Sequence, residues 1–509
     1  MMTDAADARA GARVGARLGL ELEMAVADLH SGASRPVLRY FAELAQVKYQ
    51  RGLSVQLQMQ AGRCVGIATG LADCGLDNGF NLLETATRPL PGGAQGLARL
   101  AALARGELDD SLRALAADGL GVINASQHPT CERTPSWYAR VRVPRAIYQE
   151  LVHHRGWRHW EGIDAKAQNG VNIAVATGSA IAALNVAIGL APASIALFAN
   201  SPLESARVTG LKENRLTVWP RVYRWARFEG DRLLERYPAR PFHDMADYFS
   251  WMFGPATVSR SLPLAEGDAY KSAPSALLDG APCLRDFLHS KQWHALRMDT
   301  GQALLLQPQS AHFVHSQIAV FLDARLRYGL ARLPSLPALL AAWQRDGGLE
   351  DLFETCGMDA YIEGRAPGAN FADAELLDRA GGAVAASVLM APMALQLGLL
   401  RRLDDARLLV REWGWQHLGR LRARAMRDAL ADDGVHALSR AVLDVARSGL
   451  SAGERPWLAY ADYAVQAREC GADRLLSTWR ALPSGSTAAQ RMAHVIRRHR
   501  ALPSGDIPH

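Results

Sequence analysis

The sequence predicts an α+β fold with a mostly helical C-terminal part, and three patterns predict it. Leu18–Val26 alternates strictly, placing Leu20, Leu22, Met24 and Val26 on one face of a strand and Gly19, Glu21, Glu23 and Ala25 on the other. Further strand-like runs, at Phe80–Thr87, Gly170–Val175 and Asp359–Arg365, are interleaved with a clear amphipathic helix over Leu97–Ala117. From Ala374 to Ala472 the pattern is helical throughout, with few strand formers.

Bulk properties narrow the function classes. A chain of 509 residues can bury a large core and hold more than one structural unit. Its 57 basic and 51 acidic residues give a net charge of +6. They are interspersed, with no block of like charge that would mark a nucleic-acid arm. Six cysteines without Cys-x-x-Cys spacing suit a reducing cytoplasm with free thiols. The first sixteen residues have no apolar core of a secretory signal. Two uncharged runs, Ala167–Leu203 and Gly381–Leu400, are broken by Gly, Pro and Asn, and we read them as buried strand and helix in a soluble protein rather than as membrane spans.

Taken in order, residues 1–16 are read as a flexible lead-in. A helix follows over Val37–Gln50, then a turn at Asp77-Asn78-Gly79 leads into the Phe80–Thr87 strand. Val122–Pro129 reads as a short strand running into a loop with His128 at its tip. Arg140–Trp160 is rich in Arg, His and aromatics. A metal or RNA site is conceivable there, but adjacent His153 and His154 do not converge on one helical face, so a solvated helix-to-loop segment is the expectation. A small-residue helix spans Ser179–Gly189, residues 226–310 are mixed, and strands at Gln317–Arg327 and Asp359–Arg365 flank a helical excursion over Leu333–Cys356. The tail from 481 to 509, rich in Ser, Gly, Pro, Arg and His, is read as loose.

Carboxylates on these strands carry the functional reading. Glu21 and Glu23 lie about 7 Å apart as residues i and i+2 of a strand. Such a pair is commonly a solvated face, and the alternative is a floor for a divalent cation. Glu84 and Glu363 also sit in strand-like runs, and Glu363 shares a face with Arg365, which alone would be a structural ion pair. Four carboxylates on strands of buried type suit Mg²⁺ bridging a polyphosphate, because Mg²⁺ takes hard oxygen ligands and keeps substrate phosphates in its shell. No Walker loop and no Gly-x-Gly-x-x-Gly after a strand is present, so a nucleotide would be held through metals and arginines.

These motifs resemble those of glutamate–cysteine ligases of the bacterial and plant-type branch. Gly19-Leu20-Glu21-Leu22-Glu23 resembles the family's opening strand, and Leu82–Thr87, with Asp77 before it, is similar to the second metal-ligand strand. Gln127-His128-Pro129, Ala199-Asn200-Ser201-Pro202 with Arg215 and Trp219, Phe321–Leu326, and Tyr361-Ile362-Glu363-Gly364-Arg365 resemble further family blocks, in family order from residue 19 to 368. Two departures stand out: Asn172 and Ala174 replace polar positions of one family strand, and residues 327–358 form an insertion.

The resemblance implies an antiparallel sheet of the glutamine-synthetase/guanido-kinase kind, with a concave active-site face flanked by helices. It implies a catalytic domain over 17–370 and a helical part over 371–480 packed on it. The implied activity is ATP- and Mg²⁺-dependent amide formation between glutamate, or another carboxylate, and an amine such as cysteine, in the cytoplasm and without nucleic-acid or membrane partners. Glu21, Glu23, Glu84, Glu363, Asn172 and Asp77 would hold metal. Arg365 and Arg325 would act on the transferring phosphoryl group and bind ATP, while Arg215, His128 and Asn200 would bind substrate. The same chemistry on other substrates of a natural-product or peptide-tailoring pathway is an alternative, and an inactive binding protein on the same fold a remote one.

Overall fold

In a computed structural model, residues 14–264, 274–316 and 323–508 are described. Ten strands form one antiparallel sheet: β1 (Arg17–Asp28), β2 (Gln56–Gln60), β3 (Arg63–Ala68), β4 (Ala72–Leu76), β5 (Leu82–Thr87), β6 (Leu90–Pro91), β7 (Leu120–Val122), β8 (Asn169–Val175), β9 (Ala324–Leu330) and β10 (Met358–Gly364). Their order is β9-β10-β8-β1-β5-β4-β3-β2, with β6 and β7 pairing with the two ends of β1. The first strand read from the sequence is therefore central. Its Leu20, Leu22, Met24 and Val26 are all buried, as the alternation requires.

Helices cover the apolar face. Gly96–Ala116 packs on β1, Ala180–Gly189 on β9 and β10, and Ala391–Arg401 on β8. The C-terminal helices continue the same hydrophobic cluster, which runs from Leu18 to Ala501. The insertion forms two helices, Leu336–Ala342 and Gly348–Thr355, between β9 and β10. Residues 317–322 of the expected strand before it lie outside the described residues, as do residues 1–13 of the lead-in. A second, four-stranded sheet occupies part of 226–310, with strands at Ser261–Pro263, Ser275–Leu278, Trp293–Arg297 and Ala303–Leu306.

Part of the tail read as loose is helical. Ala488–His499 is a helix capped by Thr487, and Met492, Val495 and Ile496 are buried against Ala25, Ile123 and Trp479. Its polar composition hid an apolar stripe at helical spacing. Val122–Pro129 is likewise mostly loop, since the strand ends at Val122. Among the described residues no single helix is long and apolar enough to cross a membrane, although two bent helix pairs, Thr177–Gly189 with Ala191–Leu197 and Ala374–Ser387 with Ala391–Arg401, reach the length and composition together. All six cysteines are free.

Candidate active site

Strand register brings the distant carboxylates together. Glu23 on β1 stands opposite Glu84 on β5, and Glu84 stands opposite Gly75 on β4. Glu21 stands opposite Gly170 on β8, Asn172 opposite Glu363 on β10, and Glu363 opposite Arg325 on β9. Side chains so paired lie on one face about 5 Å apart, so five strands deliver their polar groups to the same patch. Gly170 makes room for this: a Cβ there would lie 3.3 Å from the Glu21 carboxylate.

Above the patch is a cavity of about 250 Å³ whose lining includes Glu21, Glu23, Asp77, Glu84, Arg325 and Arg365. Six of the residues expected from sequence thus share one wall. Glu363 was expected to hold metal beside them but sits behind that wall, 1% exposed. Its Oε2 accepts from Arg325 Nε at 2.7 Å, its Oε1 accepts from Arg365 Nη1 at 2.7 Å, and Arg327 Nε is 3.8 Å away. Burial opposes its charge, but the three guanidinium groups outweigh burial and hold the carboxyl far below its usual range. Glu363 is an anchor for arginines rather than a wall group.

At Glu21 the same two arginines, Arg325 and Arg365, act more weakly than burial. Burial, with the Glu363 charge adding to it, raises its carboxyl, and the Asn172 Nδ2–H, donated to Glu21 Oε1 at 3.1 Å, only partly offsets this. Asn172 itself is absent from the cavity wall, and its buried Oδ1 has no partner. Glu23 accepts the Gln168 backbone N–H at 3.0 Å, with Lys166 Nζ 3.5 Å from the same oxygen. Burial pushes the Glu23 carboxyl up to about 7 despite Lys166, and Asp77 adds to the rise. Asp77 accepts from Lys166 at 3.0 Å and goes the other way: against burial, Lys166 and Arg145 pull its carboxyl below the usual value. Among the described residues no three His, Cys, Asp or Glu side chains are clustered closely enough to hold an ion by themselves.

The three expected substrate residues lie elsewhere. Arg215 is buried, with Nε donating to Glu213 at 2.6 Å and Nη2 to the Ala366 carbonyl at 2.9 Å. It braces the chain just after Arg365 instead of facing the cavity. His128 is buried in a loop, accepts the Thr130 N–H at Nδ1, and is lowered by burial to about 3. Asn200 donates to Asn124 and to the Ala369 carbonyl inside the core. Each motif block is a structural joint, which spacing alone does not distinguish from a ligand.

Sequence reasoning missed other wall residues. Lys166 escaped because it stands immediately before the uncharged run, and a lysine so placed reads as an exposed end. The Arg140–Trp160 segment, expected to be solvated, supplies Arg145, Tyr148, Trp157 and His159 to the cavity. Trp157 and His159 are 3% and 1% exposed. The signal was its aromatic density, which suits a wall more than a solvated loop.

Residues 17–237 match the family model of glutamate-cysteine ligase family 2. A search among curated protein sequences found no match. Among solved structures, the chain is similar to a glutamate–cysteine ligase from Francisella tularensis, crystallised in complex with AMP. The identity is 12%, the TM-score 0.47, and the alignment covers 97% of this chain and 90% of that one.

Proposed function

We propose that this protein, whose residues 17–237 match the family model of glutamate-cysteine ligase family 2, is an ATP- and Mg²⁺-dependent carboxylate–amine ligase, with glutamate and cysteine as the default substrates. The observation that carries the reading is the single cavity wall shared by Glu21, Glu23, Asp77, Glu84, Arg325 and Arg365.

The donor set fits Mg²⁺. Glu21, Glu23, Asp77 and Glu84 offer hard carboxylate oxygens on the wall, and the carboxyls of Glu21 and Glu23 are under-compensated. The absence of a three-ligand cluster agrees with an ion held by one or two carboxylates and substrate phosphates. When bound, Mg²⁺ supplies charge neutralisation for the polyphosphate. The chain's own groups do the positioning. Glu363 holds the guanidinium groups of Arg325 and Arg365 in fixed directions, so both can receive phosphoryl oxygens without reorganisation. The donor carboxylate oxygen attacks the γ-phosphorus and ADP leaves. The amine then attacks the acyl phosphate carbon, loses a proton, and phosphate departs. The buried Trp157 and the half-buried Trp219 limit water at the acyl phosphate.

A second reading keeps the reaction and changes the acceptor. It is favoured by Ala174, which faces Tyr361 across the sheet where the family strand is polar.

The test is phosphate release from ATP and Mg²⁺ with a panel of amino acids. The expected result is turnover that needs both a carboxylate donor and an amine, reduced about 100-fold or more by Glu21→Gln or Arg365→Gln. Turnover left intact by both substitutions overturns the proposal.

A further inference from the structure

A second cavity, of about 470 Å³, adjoins the first. Arg145 and Tyr148 line both. Arg63, Arg142, Arg145 and His153 face this second cavity, and no Asp or Glu does. Elsewhere in this protein guanidinium groups are commonly matched with carboxylates, as at Arg155–Asp231, Arg401–Glu454 and Arg422–Asp323. Here, among the described residues, the side chains of Arg142 and His153 have neither an ion pair nor a hydrogen bond, and Arg63 is held only by its stacking over Phe80, 3.6 Å from the ring centroid. Arg145 is fixed differently. Its Nη1 donates to Tyr148 Oη at 2.9 Å and its Nη2 to the Leu76 carbonyl at 2.6 Å. These are neutral acceptors, and the carboxylates that favour its charge, Glu84 and Asp77, line the first cavity and not the second.

A concave site with converging cations and no counter-charge selects an anion. Paired donors on planar guanidinium groups select a flat or tetrahedral oxyanion in particular. Its position adds a constraint. The two cavities meet at Arg145 and Tyr148, and Asp77 and Glu84 line the first of them.

We propose that this second cavity holds the anionic end, a carboxylate or phosphate, of the acceptor amine, while its amino group reaches into the first cavity. The inference rests on the ligase reading above and narrows its acceptor to amines that carry a second, negatively charged group.

The experiment compares the full-length protein with the Arg63→Gln/Arg142→Gln double variant, donor and Mg²⁺·ATP saturating. Acceptors are offered in pairs, each acid beside its neutral carboxamide. The wild type should prefer the acid by about 10-fold or more, and the double variant should raise KM for the acid by about 10- to 100-fold, the effect of losing one or two charge-assisted hydrogen bonds. Its kcat and its KM for ATP and donor should stay within twofold. Equal use of acid and carboxamide by the wild type, or a KM loss that falls on ATP, overturns the inference. Calorimetric titration of both proteins with the same acid and carboxamide, without ATP, separates it from the ligase reading. Selective acid binding lost in the double variant upholds the subsite even where turnover is absent, whereas equal binding by both proteins overturns it even where turnover is present.

Discussion

Two buried lysines in this protein each stand between two carboxylates, and only one of them faces a cavity. Lys48, on the helix Tyr40–Gln50, is fully buried with Nζ 2.6 Å from Glu107 and 2.8 Å from Asp110 on the helix Gly96–Ala116. Arg51 joins Asp110, and the Cys74 thiol donates to Glu107 at 3.3 Å. Lys166 has the slacker arrangement, 3.5 Å from Glu23 and 3.0 Å from Asp77, and its surroundings open on the cavity. Burial works against its ammonium, but Asp77 and Glu23 raise it above its ordinary value. The comparison teaches that a buried charge is no evidence of function by itself. The Lys48 cluster is closed and pins two helices together, whereas at Lys166 burial raises one neighbouring carboxyl, Glu23, to about 7 beside an open cavity.

Substituting each lysine sharpens the contrast most. Lys48→Met should destabilise the protein by about 3–5 kcal/mol, because Glu107 and Asp110 would remain buried without their partner. Lys166→Met should cost less stability, since water in the cavity reaches Glu23 and Asp77, but should lower ligase turnover by about 100-fold. Urea unfolding and phosphate release, measured on both variants, check the pair. Equal losses of stability would break the distinction.

The next effect is a pH dependence specific to the cavity. Glu23 has a folded-state pKa raised from 4.5 to about 7, so between those values the native protein binds more protons than the unfolded chain. Stability is therefore fully present below 4.5 and declines as pH rises through 7. The contribution of this one carboxyl is on the order of 1–3 kcal/mol. Glu23→Gln should flatten the unfolding free energy over this window when measured without Mg²⁺. An unchanged slope would show that Glu23 is not the under-compensated carboxyl.

The smallest effect belongs to an exposed pair. Arg88 and Asp73 lie 3.0 Å apart on the surface. Arg88→Gln should shift stability by no more than about 1 kcal/mol. A larger shift would mean that exposure is a poor guide to which ion pairs matter here.

Much of the frame was legible before any coordinates. The alternation at Leu18–Val26 identified the strand that proves central, because burial of one face imposes period two on the residue types. The Leu97–Ala117 helix and the helical C-terminal part were readable for the corresponding reason at period 3.6. Glu21, Glu23 and Glu84 stood out as acids inside strand-forming runs. Arg215, His128 and Asn200 looked equally functional in sequence, yet they tie loops together. A hydrogen bond to the protein's own backbone leaves no mark on spacing that differs from a hydrogen bond to a ligand. Lys166 and Trp157 were missed because partners that enclose them, Glu23, Asp77, Tyr223 and Asp231, lie more than fifty residues away.

By itself, the sequence determined the central strand, the long amphipathic helix, the helical C-terminal part and the acids inside strand-forming runs, since local periodicity and side-chain chemistry are properties of contiguous residues. Only the tertiary structure decided which acids meet over one cavity, which arginines Glu363 anchors, and which lysine faces an open space. Those outcomes depend on strand order and register, and β10 joins β8 across nearly two hundred residues of intervening chain, a separation over which no local pattern carries information.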